Sequence, residues 1–282
     1  MDGCDGKLRR AKEHLGVLDK QITHFQGLHK HTIFVEDDPR TSEYVFKVRG
    51  LQPSDPDWTY IAGDCIHNLR SALDHLVYQL AIVNLGRDLT NEDARSCMFP
   101  IYSDPNTFLT SGYRRIKLLR PSEQARITQL QPFNASDPSI WPTMPGYLPG
   151  TPHYIPTLLG QLESLEVIDK HRSTHATWRA AQWFDAKPPP IKLLGSTIFA
   201  GALENGAEVG RWHYSLPRPE LSPDMDMDSH FPIGVALGEP PFMNGVVGQL
   251  AMHVGNVEAV LRLFRFCVAK GAPALPLVFP FA

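Results

Sequence analysis

Four long stretches of this chain repeat apolar residues every three or four positions, and this spacing limits the possible folds more than any other feature of the sequence. The stretches run from about Lys7 to Gln26, Pro56 to Asn84, Thr157 to Lys170 and Asn244 to Val268. A repeat close to 3.6 residues puts the apolar side chains on one face of an α-helix. We therefore predict four long amphipathic helices that pack on a common apolar core.

Between the third and fourth helices the sequence changes to short β-prone runs separated by Gly, Pro and Asp. Strands are predicted at Thr174–Trp183, Ile191–Ala200, Glu208–Leu216 and Phe231–Leu237, and one earlier strand at Tyr44–Arg49. The connections after residue 172 are too short for the crossovers that parallel strands need. We therefore expect an antiparallel sheet there.

These elements predict an α+β fold with a helical core, a small antiparallel sheet and a closing C-terminal helix. The helical part is expected at residues 1–171, the strands at 172–243, and the closing helix with its tail at 244–282. With 282 residues, the chain is long enough to form one single domain, 1–282, around a large core. Seven prolines between residues 131 and 156 predict a long irregular loop there.

Composition narrows the functional classes only slightly. The net charge of −3 argues against a broadly basic nucleic-acid coat but leaves room for a local basic site. No apolar N-terminal signal and no run of eighteen apolar residues is present, so we predict a cytoplasmic protein with no membrane contact. The four cysteines are scattered without a C-x-x-C pair, which argues against a zinc site or a disulfide framework.

The polar side of the second long helix has an unusual composition. Residues 63–84 contain no Lys and no Glu, although these residues normally fill a helix face that meets only water. The polar positions are instead Asp64, His67, Asn68, Arg70, Ser71, Asp74, His75 and Tyr78. Compact hydrogen-bonding groups of this kind predict either a partly buried network, in which Arg70 pairs with Asp74, or a reactive site.

A second polar cluster ends the third long helix, at Asp169, Lys170, His171 and Arg172. Basic side chains at a helix C-terminus can satisfy the last carbonyls, but Asp169 does not fit that role. If the two helices pack together, Asp169 would orient Arg70 or His75. Lys170 and Arg172 would then add positive potential for a phosphate.

The same histidines also allow a metal site as a further interpretation. His171 and His175 could join His67, Asp74 or His75 around an ion. No HExxH or other complete ligand motif is present, so we predict no metal and no cofactor.

The spacing R-x4-H from Arg70 to His75 resembles the signature of the HEPN superfamily, whose members include metal-independent endoribonucleases. The resemblance implies that Arg70 binds the scissile phosphate and that His75 acts as general acid or base for a ribose 2′-hydroxyl. Supporting roles would fall to His67, Asn68, Asp74, Asp169 and His171. An ideal helix separates positions 70 and 75 by about 140°, so a homodimer is expected to complete the site.

Four segments in order resemble a widespread family of uncharacterised bacterial proteins. They read HNLRSALDHL, CMFPIYSD, ITQLQPF and LESLEVIDKHR, and the resemblance covers residues 58–172. It supports treating the two polar clusters as parts of one site and implies no particular activity.

Three functions follow as hypotheses. The first is a HEPN-like endoribonuclease or RNA-binding protein of a stress or antiviral system, with RNA as its partner. The second is a non-catalytic binding or scaffold protein whose polar helix is a structural hydrogen-bond network. The third is a metal enzyme that uses the His and Asp side chains. Whether the protein is an enzyme is left open by the sequence.

Overall fold

The computed structural model of this protein describes residues 2–38, 40–135, 155–171, 176–180, 192–199, 201–221, 233–237 and 245–270. The helices are α1 Asp2–Leu28, α2 Asp57–Leu85, α3 Asn91–Ser96, α4 Pro105–Thr107, α5 Pro121–Gln129, α6 Ile155–His171 and α7 Val246–Lys270. The strands are β1 Thr32–Asp38, β2 Glu43–Arg49, β3 Ala176–Ala180, β4 Leu193–Ile198, β5 Glu208–Tyr214 and β6 Ile233–Leu237. The α+β class predicted from the sequence is confirmed.

The four long helices of the prediction are α1, α2, α6 and α7. The predicted apolar faces are buried: on α2, for example, Leu69, Leu73, Leu76 and Leu80 have no exposed surface. Helix α1 begins at Asp2, five residues before the predicted start, although Gly3 and Gly6 are weak helix formers. Tertiary packing therefore outweighs local propensity at this end of the helix.

The strands form two antiparallel sheets. One has four strands in the order β1-β2-β5-β4, and the other pairs β3 with β6. The antiparallel pairing expected of the late strands is confirmed, but these strands divide between two sheets instead of forming one of their own. Strand β5 pairs with β2, where the rings of Phe46 and Trp212 meet with centroids 4.7 Å apart.

The sequence prediction did not include strand β1. Its sequence, TIFVEDD, ends in three acidic residues, a residue type that is uncommon in strands. The strand forms because β2 supplies a complete partner, from Thr32 opposite Arg49 to Asp38 opposite Glu43. Lys47 on β2 also pairs with Glu36 at 2.5 Å, which offsets part of the acidic charge.

The chain divides into two compact units. The helical unit comprises residues 1–15, 63–172 and 250–282, and the sheet unit comprises residues 16–62 and 173–249. The helical part of the chain is thus interrupted in sequence, because the end of α1, the hairpin β1–β2 and the start of α2 belong to the sheet unit.

The core of the helical unit is built from the apolar faces of its helices. Its fully buried side chains include Ile66, Leu69, Leu73, Leu76, Phe99, Ile116, Ile127, Leu159, Leu162, Leu165, Leu261 and Phe264. Most of the proline-rich loop predicted at 131–156 lies outside the described residues, which resume at Ile155 in the first turn of α6. Within the described part of the chain, no helix is long and apolar enough to cross a membrane.

Candidate functional site: a basic groove between two antiparallel helices

Helices α1 and α2 run antiparallel within the helical unit. Two contacts fix their direction: Gly3 lies against the ring of His75, and the Cys65 thiol donates to the Ala11 carbonyl at 3.4 Å. Position 3 of α1 therefore meets the later part of α2, and position 11 meets its earlier part. The groove between the two helices is open to solvent.

The groove has a volume of about 560 Å³. Its lining residues are Gly3, Gly6, Lys7, Arg9, Arg10 and His14 from α1, and Asp64, Asn68 and His75 from α2. Three permanent cations and two histidines thus face a single carboxylate. Arg10 pairs with Glu13 at 2.8 Å, but both side chains are about half exposed, so water and salt weaken that attraction.

His75 lies at one end of the groove, against the backbone of Gly3, because glycine has no side chain there. A Cβ at position 3 would lie 2.7 Å from the His75 Nδ1, which is closer than real Cβ atoms approach. A Cβ at Gly6 would meet nothing within 4 Å. Glycine at position 3 therefore lets the half-buried imidazole lie directly on the backbone of α1, while glycine at position 6 keeps the groove wide.

Arg70 lies on a different side of α2, against α6, and is buried. Its Nε is 2.9 Å from the Glu166 carboxylate and 3.3 Å from that of Glu163. Its Nη2 donates to the Phe99 carbonyl at 3.3 Å. Only 7% of the Arg70 side chain is exposed, so the guanidinium does not line the groove that contains His75.

Asp74 completes the cluster around Arg70. It lies 3.8 Å from the Arg70 Nη2, and it accepts a hydrogen bond from the Phe99 amide at 2.9 Å. Burial raises the pKa of Asp74, and the charge of Arg70 opposes that rise. The predicted pairing of Arg70 with Asp74 is therefore present, as part of a network of three carboxylates around one guanidinium.

The remaining polar residues of α2 make local contacts. The Asn68 amide donates to the backbone carbonyl of Asp64 at 2.8 Å, one turn earlier. The His67 Nε2 lies 3.5 Å from the Ser71 hydroxyl, on an exposed part of the helix. Of the predicted supporting residues on α2, Asn68 is the one that shares the groove with His75.

The second predicted cluster, at the end of α6, contributes Asp169 to the helical unit. The Asp169 carboxylate lies directly on the backbone of Gly63, where a Cβ would come within 2.4 Å of Oδ1. Asp169 thus contacts α2 two turns before Arg70 and is not one of the ion-pair partners of Arg70. Lys170 and His171 end α6 with side chains outside the described part, and Arg172 lies outside the described residues altogether.

Two cysteines beside the groove are unreactive. Burial raises the pKa of Cys4 to about 11 and that of Cys65 to about 12. Since a cysteine attacks as its thiolate, neither thiol is available as a nucleophile near neutral pH.

No three His, Cys, Asp or Glu side chains converge as metal ligands among the residues that the structure describes. The side chain of His171 and all of His175 lie outside the described residues, so the metal site suggested for that segment stays a hypothesis.

The sequence analysis missed two parts of this arrangement. It did not select Glu163 and Glu166 as partners of Arg70. It also named no functional residue on α1, although Lys7, Arg10 and His14 follow helical spacing on one face. The sequence signal for the groove is this row of basic residues that follows Gly3 and Gly6.

Comparison with models of protein families gives no match, and neither the curated proteins nor the solved structures include a significant match to this chain. The resemblance to the HEPN superfamily therefore stays a prediction.

Proposed function

We propose that this protein binds RNA through its phosphates in the basic groove between α1 and α2. The observation that carries the proposal is the set of groove cations: Lys7, Arg9 and Arg10 lie along one open groove with His14 and His75. Phosphate contacts by Lys and Arg provide most of the affinity in binding that does not depend on base sequence.

The shape of the groove favours a chain of phosphates over a single small anion. On α1 the groove runs from Gly3 to His14, which is about 16 Å at 1.5 Å per residue. Lys7, Arg9 and Arg10 lie within about 5 Å near the middle of this length, His14 lies about 6 Å beyond Arg10, and His75 lies at the Gly3 end. An extended strand with a charge on every nucleotide fits such a row, whereas one phosphate would reach only part of it.

Endoribonuclease activity is kept as an extension of this proposal. His75 would be the general acid or base, which is the role that the HEPN resemblance gives it. Lys7 or Arg10 would bind the scissile phosphate, a role that the HEPN resemblance assigns to Arg70. We infer this assignment because Arg70 is buried among carboxylates and His75 is open to the groove.

The test is the binding of a fluorescent single-stranded RNA in EDTA, followed by anisotropy at several salt concentrations. Each phosphate contact contributes about 0.7 to the slope of log affinity against log salt for a single strand. The Lys7→Ala and Arg10→Ala variants should therefore bind several-fold more weakly, with slopes lower by about 0.7 each.

Lys20→Ala is the matched control, because Lys20 is an exposed lysine of α1 outside the groove. Equal weakening by Lys20→Ala, or unchanged binding by the groove variants, would contradict the proposal. The same RNA, analysed on a gel, tests cleavage: loss of cleavage in His75→Ala with binding retained would support a catalytic role.

A specific observation also favours the scaffold function as a second candidate. Arg70, the residue that a HEPN-like site requires, is enclosed by Glu163, Glu166 and Asp74. A buried guanidinium paired with carboxylates fixes the packing of two helices and need not contact a ligand. If wild-type protein neither binds nor cleaves RNA, this is the function that the polar helix supports.

A further inference from the structure

The segment between α4 and α5 presents basic and aromatic side chains on the surface of the helical unit. A π-helical turn, Phe108–Gly112, follows α4 and leads directly into a 3₁₀ turn, Tyr113–Ile116. Residues 113–120 read YRRIKLLR, with four basic residues and no acidic one. We name the surface formed by Leu109, Tyr113, Arg114 and Lys117 the Tyr113 patch.

The backbone beneath the patch is firmly anchored. Phe108 and Ile116 are buried, and Gly112 lies so close to the rings of Phe108 and Tyr102 that a Cβ would come within 2.8 Å of each. Gln124 of α5 donates to the carbonyls of Ile116 and Leu119 at 3.1 and 3.0 Å. The patch is therefore a preformed surface on a packed support.

Tyr113 is anchored at its hydroxyl and is partly exposed. Its hydroxyl donates to the Gln124 side-chain oxygen at 2.5 Å, while 42% of the residue is exposed. Holding an aromatic ring at its polar tip lowers the entropy that a partner must remove when it stacks on the ring.

The cations of the patch have no counter-ions within the described part of the chain. Arg114 and Lys117 are exposed, and no described carboxylate forms an ion pair with either. The positive charge belongs to residues 113–120 alone, because α3, which packs against the 3₁₀ turn, carries Glu92 and Asp93 beside Arg95. This local positive charge is notable in a chain whose net charge is −3.

We propose that the Tyr113 patch is a second nucleic-acid contact, in which a base of single-stranded RNA stacks on Tyr113 and its neighbouring phosphates pair with Arg114 and Lys117. An exposed aromatic ring beside unpaired cations is the combination that binds single strands without sequence preference. The patch lies apart from the groove, since none of its residues lines the groove.

An anionic membrane is the other partner that basic and apolar residues could attract. The patch offers only Leu109 and Tyr113 as large exposed apolar groups, 65% and 42% exposed. Stable attachment to a bilayer takes a longer apolar face or a second anchor. Charge and stacking together therefore favour a nucleic acid.

The proposal depends on the proposed function only for the choice of RNA as the ligand. Its test compares Tyr113→Leu with Tyr113→Phe in binding a single-stranded RNA of about thirty nucleotides. Stacking on one aromatic ring corresponds to roughly a tenfold change in affinity. Tyr113→Leu should bind about tenfold more weakly, whereas Tyr113→Phe, which keeps the ring, should bind within about twofold of wild type.

Charge variants give a second, independent measurement. Arg114→Ala and Lys117→Ala should each lower the salt slope by about 0.7. RNA that contains 5-iodouridine should cross-link to Tyr113 in the wild type, and the cross-link should disappear in Tyr113→Leu. Circular dichroism of each variant checks that the fold is kept.

The possible outcomes separate the two proposals. If the groove variants weaken binding and the patch variants do not, the groove is supported and the patch is overturned. If only the patch variants weaken binding, the patch stands and the groove function falls. If RNA affinity is unchanged in the patch variants but vesicles rich in phosphatidylserine bind wild type and not Leu109→Ser, the patch is a membrane contact and the nucleic-acid proposal is overturned.

Discussion

Arg70 is the residue whose replacement best separates a structural role from a ligand-binding one. Removing one partner of a buried ion pair leaves an uncompensated charge and costs about 3 kcal/mol or more. Arg70→Met should therefore lower the free energy of unfolding by about 3 kcal/mol, because Glu166, with 9% of its side chain exposed, loses its guanidinium. Urea denaturation measures this difference.

Glu166→Gln is the matched variant for this prediction. It removes one of three carboxylates around a single Arg70 cation and keeps a hydrogen-bond acceptor, so we expect a much smaller loss of stability. The opposite pattern would count against the structural role: full stability in Arg70→Met together with loss of RNA binding means that Arg70 contacts the ligand.

For individual residues, the sequence predicted contacts within one helix and missed contacts between helices. Arg70 and Asp74 are four residues apart, and their pairing follows from helical geometry alone. Glu163 and Glu166 are more than ninety residues away in the chain, and they meet Arg70 only because α6 packs on α2. His75 was selected for its spacing from Arg70, but it lines a groove that α2 forms with α1. The basic residues of α1 in this groove resemble those of an ordinary exposed helix face, so the sequence did not mark them.

Helix α7 carries polar side chains where its surroundings are apolar. His253 has no exposed surface. Neither of its ring nitrogens forms a hydrogen bond with a described group. The nearby Leu158 backbone raises the pKa of His253 only slightly. Burial lowers the pKa of His253 to about 4. Asn256, one turn later, donates to the Ile155 carbonyl at 3.4 Å while its own Oδ1 lacks a partner in the described residues.

His253→Leu should stabilise the protein by about 1 kcal/mol at neutral pH, since it removes unsatisfied buried polar atoms and keeps an apolar volume. The gain should grow as the pH falls. A histidine whose folded pKa lies below its unfolded value destabilises the fold once it can be protonated. This loss begins near pH 6.5 and is complete near pH 4, where it reaches roughly 3 kcal/mol.

Urea midpoints of wild type and His253→Leu at pH 7.5 and 4.5 measure this effect. His24→Leu, at an exposed position of α1, is the control and should change the midpoint little at either pH. A constant difference between wild type and His253→Leu at the two pH values would mean that His253 is not buried in its neutral form.

The sequence predicted well the elements whose apolar repeat continues regularly over a long segment. Four helices follow from repeats of fourteen to twenty-nine residues, which are longer than ordinary strands. Strand β1 was missed because strand formation depends on a partner, and its acidic end suits an exposed turn equally well. Sheet membership was missed for the same reason: β5 pairs with a strand more than 150 residues earlier.

At the scale of the whole molecule, the two units share long helices. The chain passes between the units at residues 15/16, 62/63, 172/173 and 249/250. Three of these passages fall inside α1, α2 and α7. Because a helix loses its hydrogen-bonded continuity when one half unfolds, we expect a single cooperative unfolding transition.

Two spectroscopic signals test this expectation. The described tryptophans Trp58, Trp178 and Trp212 are buried in the sheet unit, so their fluorescence follows that unit. Far-UV circular dichroism follows the helices, most of which belong to the helical unit. In a Trp141→Phe background, the two thermal transitions should coincide. Midpoints that differ by several degrees would show that the units unfold separately.

The shared helices also determine where this sequence can change in length. One extra residue between Leu15 and Gly16 would turn one half of α1 by about 100° against the other and carry the apolar stripe of that half away from its core. The same holds at Ala62–Gly63 in α2. We expect insertions and deletions to be tolerated better between Gly86 and Thr90, where the chain has left α2 and has not begun α3.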